Sequence, residues 1–303
     1  MLIAFAALLV LPGARAAVRT HAANCVQTSE PMTPLIDMGA KRLYHGYHGG
    51  LYANGANRPT RTYLKKGLAA AKRVQPIDGR IVLLSIGMSN TTMEYSAFKQ
   101  YADANPAKAS DVTIVDGAQG GQDAEIVKDP SARFWAVVDQ RLSAAGATAA
   151  QVQAVWLKEA IAQENEPFPQ DALRLRADLA TIVGNLKQRF PNLQLVYLSS
   201  RTYAGYATTT LNPEPYAYDS GFAVKWLVLQ REKGKIGGPW LGWGPYLWTN
   251  GTRGRKDGLT WTCADVRPND GTHPSASGQA KVATLLWKFF TTDPTAKSWF
   301  LAR

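Results

Sequence analysis

Four short apolar runs are spaced along the chain so that each gap holds a helix. They are Ile81 to Ile86 (IVLLSI) closed by Gly87, Val112 to Val115 (VTIV) closed by Asp116-Gly117, Val152 to Leu157 (VQAVWL) broken only by Gln153, and Leu193 to Leu198 (LQLVYL). Runs this short, with little polar alternation, predict strands buried on both faces of a parallel sheet. Between them apolar residues recur with helical period over Met93 to Ala104, Ala132 to Ala144 and Gln170 to Phe190, and Pro191-Asn192 stops the last one ahead of the fourth run. Trp243 to Trp248 predicts a fifth strand. Pro274 is expected at the first position of a closing helix over Ser275 to Phe290. Strands alternating with helices predict an α/β doubly wound domain over residues 79–303. Residues 17–78 lack this rhythm, are rich in Gly, Tyr and His, and are expected to form an irregular N-terminal wrap rather than a domain.

The first residues read differently. Leu2 to Leu11 is a run of ten apolar residues, half of the roughly 20 that a bilayer span needs. Followed by Pro12-Gly13 and the small-x-small triplet Ala14-Arg15-Ala16, it predicts a signal peptide over residues 1–16 with Ala17 as first mature residue. A secreted or periplasmic protein without a membrane anchor follows as the expectation. Export gives the two cysteines, Cys25 and Cys263, an oxidising compartment in which to pair.

Composition narrows the class. With 46% hydrophobic and 19% charged residues the 303-residue chain is globular and long enough for a sizeable core. Its net charge of +11 is scattered, in clusters no longer than Lys65-Lys66 and Arg253 to Lys256. That is a solvated basic surface rather than a nucleic-acid footprint, so no nucleic-acid partner is expected.

Ligands of open α/β sheets bind beyond the carboxyl ends of the strands. Past the first run stands Gly87-Met88-Ser89-Asn90-Thr91. A serine in such a turn holds its hydroxyl outward and its N–H at a helix start, which suits a nucleophile with an oxyanion donor. Thr91 stands where a G-x-S-x-G elbow would need glycine. Past the second run, Asp116 to Asp123 carries Gly117, Gly120 and Gly121, which permit positive φ and close backbone approach. Near the C-terminus, Asp270 precedes His273 by three residues, a spacing that lets the carboxylate orient the imidazole. Neither a dinucleotide fingerprint nor a P-loop nor H-E-x-x-H occurs. Tyr44 to Gly50 contains His45 and His48, but further ligands are not in sight there, so no metal is expected and the segment reads as a packed loop.

In this order the blocks resemble the SGNH (GDSL-like) hydrolase family, from about Gly79 to Phe290. Gly87-Met88-Ser89-Asn90 resembles the first block, with Met88 in place of the usual Asp; Asp116 to Ala124 resembles the second; Asp270 to Pro274 resembles the last. The resemblance implies a flavodoxin-like three-layer α/β/α sandwich with a mostly parallel five-stranded sheet. It implies ester hydrolysis through an acyl-enzyme, with Ser89 as nucleophile, His273 as base and Asp270 as its orienting group. The oxyanion donors are the N–H groups of Ser89 and Gly121. This chemistry needs no metal or cofactor.

The third block departs from the family's G-x-N-D. Here Lys158-Glu159-Ala160-Ile161-Ala162-Gln163-Glu164-Asn165 puts Ala160 or Ile161 at the expected Asn, with Gln163 or Asn165 as the alternative third donor. Eleven aromatics fall between Tyr203 and Trp261, about 19% against 10% for the chain. Rings of this kind stack on sugars or pack a core, and a carbohydrate ester is the attractive substrate. Asn90, Arg201, Tyr206 and Trp243 are the candidate substrate-binding residues. A catalytically weak, glycan-binding protein of the same fold is the alternative, and acyl transfer to another sugar is a variant of the first.

Overall fold

The computed structural model describes residues 22–302, so the expected signal peptide lies outside the described residues. A five-stranded sheet forms the centre. Its strands are β1 (Ile81–Gly87), β2 (Val112–Asp116), β3 (Val152–Lys158), β4 (Leu195–Leu198) and β5 (Trp240–Trp243). All neighbours pair in parallel, in the order β2-β1-β3-β4-β5. This is the doubly wound order whose switch point lies between β1 and β3. Every residue of β1, β3, β4 and β5 is buried, as strands covered on both faces must be.

Among the described residues six long helices cover the sheet: α1 (Arg61–Arg73), α2 (Ser89–Asp103), α3 (Arg133–Ala144), α4 (Gln170–Arg189), α5 (Tyr216–Glu232) and α6 (Ala276–Thr292). Helix α2 packs on α6, and α4 on α5. The sheet between helix layers is the three-layer α/β/α arrangement that the resemblance implied.

Four elements differ from expectation. The fifth strand is Trp240–Trp243 rather than 243–248. Trp240 to Trp243 align with Leu195 to Leu198, and Pro245, lacking an N–H, cannot extend the ladder. Helix α6 is capped by Ser275, whose side chain accepts from Gly278 N–H, so Pro274 precedes the cap instead of occupying the first turn. Helix α5 escaped the periodicity search because eleven of its seventeen residues are buried, on all sides. Helix α1 lies inside the segment expected to be irregular. Thr60 caps it, and it docks on β5 through Tyr63, whose hydroxyl donates to Leu241 O while its carbonyl accepts from Trp240 Nε1. At Gly67 a Cβ would come within 2.6 Å of the Trp240 ring, so only glycine lets α1 approach this closely.

The rest of residues 22–78 runs as short turns over the α5 side. Leu43–Tyr44 and Tyr47–His48 form a two-stranded hairpin, and Tyr44 packs among Phe168, Tyr218 and Phe222. Lys225, buried on α5, donates to the carbonyls of His48 and Gly49. Among the described residues no helix is long and apolar enough to cross a membrane.

Candidate active site

Ser89 is the first residue of α2. Met88 occupies the cap position in extended conformation and makes no side-chain cap bond, so the Ser89 hydroxyl is not consumed in capping. At Gly87 a Cβ would lie 2.4 Å from Lys158 O, which makes glycine obligatory where β1 and β3 converge. The Gly87 carbonyl accepts from Gln119 N–H at 2.9 Å and draws the β2 loop over Ser89. Within that loop a Cβ on Gly120 would stand 3.8 Å from Ser89 Cβ, and Gly121 takes φ +72°. Asp116 anchors the loop from below, accepting from Ser85 Oγ at 2.5 Å and Ser96 Oγ at 3.1 Å, and from Thr92.

The third contributor comes from the other end of the chain. His273 Nε2 lies 2.9 Å from Ser89 Oγ, and His273 Nδ1 lies 2.9 Å from Asp270 Oδ2. Asp270 Oδ1 accepts from the N–H groups of Thr272 at 2.8 Å and His273 at 2.9 Å, which closes the turn. Burial works against the charge of Asp270, but the His273 and Thr272 amides and the His273 ring outweigh it and hold the carboxyl below its ordinary value. An ionised carboxylate only accepts, so Nδ1 carries the ring proton and Nε2 accepts from the serine hydroxyl. Gly271, at φ +63°, passes so close to Tyr206 O that a Cβ would sit 1.8 Å from it. Asn90 Nδ2 donates to Thr272 O at 2.9 Å and ties the start of α2 to the histidine turn.

These groups line one cavity of about 430 Å³, together with Met88, Gly120, Asp123, Ala162, Arg201 and Leu211. Ser89, His273, Gly121, Asn90 and Arg201 therefore meet there, with Asp270 behind the imidazole. Tyr206 and Trp243 do not. The Tyr206 ring is fully buried with its hydroxyl donating to Trp261 O, and Trp243 Nε1 donates to Leu51 O. Nine of the eleven aromatics between Tyr203 and Trp261 are buried, so their density reflects core packing and not a sugar-stacking surface.

The third block is also rearranged. Ala160 and Ile161 are buried, and the Ile161 side chain lines a different, much smaller cavity with Asp171 and Asn212. Gln163 and Asn165 are exposed and stand outside the serine cavity. Position 162 is the one that faces the cavity, and alanine stands there. Its N–H donates to Asp123 Oδ2 at 2.9 Å, which aligns the β3 loop with the β2 loop.

A charged layer beneath the cavity was not anticipated. Lys158, at the end of β3, pairs with Glu94 of α2 at 2.5 Å, with neither side chain exposed. Burial lowers the Lys158 ammonium to about 8. Glu159 is buried with neither carboxylate oxygen hydrogen-bonded, and burial, reinforced by Asp123, pushes its pKa well above the usual range. The signal was in view: two charged residues directly after an apolar strand need buried partners. Cys25 and Cys263 form a disulfide with a Cα–Cα distance of 5.3 Å. Beside it the chain at Ala23 and Asn24 donates to Pro268 O and Tyr206 O, so the bridge fastens the N-terminal segment under the histidine turn.

No family model and no curated protein matches the chain. Among solved structures it is similar to a GDSL-like lipase from Bacteroides thetaiotaomicron, at 12% identity over 75% of this chain and 95% of that one, with a TM-score of 0.42. It is also similar to a lipopolysaccharide acetyltransferase periplasmic domain from Salmonella ser. Paratyphi A, at 14% identity over 77% of this chain and 97% of that one, with a TM-score of 0.43.

Proposed function

We propose that the protein is a serine esterase of the SGNH type, exported from the cell, that acts on carboxylic esters with a short acyl group. The observation that carries the reading is the hydrogen-bonded file Ser89 Oγ, His273 Nε2, His273 Nδ1, Asp270 Oδ2 at the carboxyl end of a parallel sheet. Nucleophile, base and orienting carboxylate within reach of one another are what acyl transfer requires.

His273 takes the Ser89 proton as Oγ attacks the ester carbonyl, and Asp270 stabilises the imidazolium that forms. The N–H groups of Ser89, at a helix start, and of Gly121 receive the developing oxyanion. His273 then returns the proton to the departing alcohol, and water releases the acyl group from Ser89. The apolar part of the cavity wall, Met88, Ala162 and Leu211, suits a small acyl group. Export is supported by the apolar run Leu2 to Leu11 and by the Cys25–Cys263 bridge, a bond that persists in oxidising compartments.

A fluorophosphonate probe with intact-mass readout tests the assignment. One adduct on the natural chain and none on Ser89→Ala is the expected result, with hydrolysis of 4-nitrophenyl acetate lost in parallel. Equal labelling of both proteins would overturn it. A screen of short-chain and sugar esters then defines the alcohol side.

A further inference from the structure

Arg201 stands just past β4, two strands from the one that carries Ser89, and lines the same cavity. Only 3% of it is exposed, and its Nε has no hydrogen-bond partner. Among the described residues no carboxylate pairs with it. The acids around it are bonded elsewhere or held toward the neutral form: Glu94 is closed on Lys158, Glu214 accepts from the Ala204 and Tyr218 amides and Trp248 Nε1, Asp123 accepts from the Ala162 and Ile126 amides, and burial pushes Glu159 toward its neutral form. A guanidinium this deep with no carboxylate bonded to it is costly unless negative charge arrives beside it. Ala162, the third-block residue on the same cavity wall, has a methyl side chain that cannot donate. The third block thus brings no side-chain donor to a cavity that a longer cationic side chain, from beyond the next strand, also lines.

We propose that Arg201 completes the oxyanion hole, donating to the tetrahedral oxygen in place of the Asn side chain that the third block lacks. This rests on the serine-esterase reading. As Ser89 Oγ bonds to the carbonyl carbon, its proton passes to His273 Nε2 and the carbonyl π pair moves onto oxygen. That oxygen takes N–H bonds from Ser89, Gly121 and the guanidinium. On collapse the pair re-forms the carbonyl, the C–O bond to the alcohol breaks, and the alcohol leaves with the proton from His273. A charge that exists only in the intermediate explains why a buried guanidinium on the serine cavity is left with its Nε unpartnered.

The test is steady-state kinetics on 4-nitrophenyl acetate, a neutral ester. Arg201→Gln is expected to lower kcat by about 10²–10³, the worth of one oxyanion donor, with KM changed less than about threefold. Adding Ala162→Asn to that variant is expected to restore at least tenfold of the loss. Arg201→Lys, which keeps the buried charge if Arg201→Gln fails to fold, is expected to lose about tenfold in kcat at unchanged KM, since an ammonium cannot present paired N–H groups. Unchanged kcat in the folded variants overturns the proposal, as does a rise in KM confined to anionic esters, which would make Arg201 a reader of substrate charge. The two readings fail separately. Absent fluorophosphonate labelling of Ser89 is failure of the nucleophile; retained labelling with unchanged turnover in Arg201→Gln is failure of the role given to Arg201.

Discussion

Ser89 Oγ and His273 Nε2 stand 2.9 Å apart across 184 residues of chain. The contact is enforced from both sides. Asn90, next to the serine, holds the carbonyl of Thr272, next to the histidine, and Gly271 lets the histidine turn settle on Tyr206 O. The pair is thus held by its neighbours' contacts as well as by its own hydrogen bond.

Asp270→Asn is expected to leave the fold intact and lower kcat by about 10³–10⁴, because an amide that donates to Nδ1 favours the tautomer in which Nε2 cannot accept the serine proton. Steady-state kinetics with a melting curve of the variant checks this. Less than a tenfold loss would mean that Asp270 serves the turn and not the imidazole.

Ile161→Asn is expected to give no gain in kcat, since that side chain lines the small cavity beside Asp171 and Asn212. It is expected to cost about 1–3 kcal/mol of stability by placing an amide where an apolar side chain packed. Turnover and a urea midpoint measured together decide it, and a large gain in turnover would place position 161 at the oxyanion after all.

Reduction of the Cys25–Cys263 bridge is expected to lower stability by up to about 5 kcal/mol, the chain-entropy limit for a closed loop of this length. The two half-cystines are 238 residues apart, and the segment around Cys25 is bonded to Pro268 and Tyr206 under the histidine turn. Activity should therefore fall together with stability in Cys25→Ser. A variant that loses stability but retains full turnover below its melting temperature would show that the bridge does not steady the turn.

Glu214 makes the fold sensitive to pH. Burial raises its carboxyl to about 7, against the opposing pull of the Ala204 and Tyr218 amides and Trp248 Nε1. The folded protein therefore holds a proton that the unfolded chain has released. Stability from this group is full below the ordinary carboxylate range and is lost as pH rises through about 7. The urea midpoint is expected to fall between pH 5 and pH 8, and Glu214→Gln is expected to flatten that slope. A slope unchanged in the variant would assign the effect to the other buried acids, Asp219 among them.

The four apolar runs and the residues directly after them were legible because both signals are local. A strand covered on both faces must be apolar throughout, and a site at strand ends puts Ser89, Gly121, Asp270 and His273 in loops with their own turn chemistry. Helix α5 was not legible, since burial on every side leaves no polar face to mark a period. Tyr206 and Trp243 could not be sorted from a binding surface, because a tryptophan packed in a core and one stacked on a ligand have the same local sequence.

What the sequence determined by itself was four of the five strands, the order of blocks and the three residues of the hydrogen-bonded file, for each depends on patterns within a few residues. What only the tertiary structure decided was which side chains share a cavity. Arg201 shares the serine cavity because β1, β3 and β4 are successive neighbours in one parallel sheet and their carboxyl ends open on the same side. Ile161, one position before Ala162, lines the small cavity beside Asp171 and Asn212 instead, as the chain turns at Ala162 and Gln163. Such relations depend on packing between segments far apart in the chain, and no local pattern encodes them.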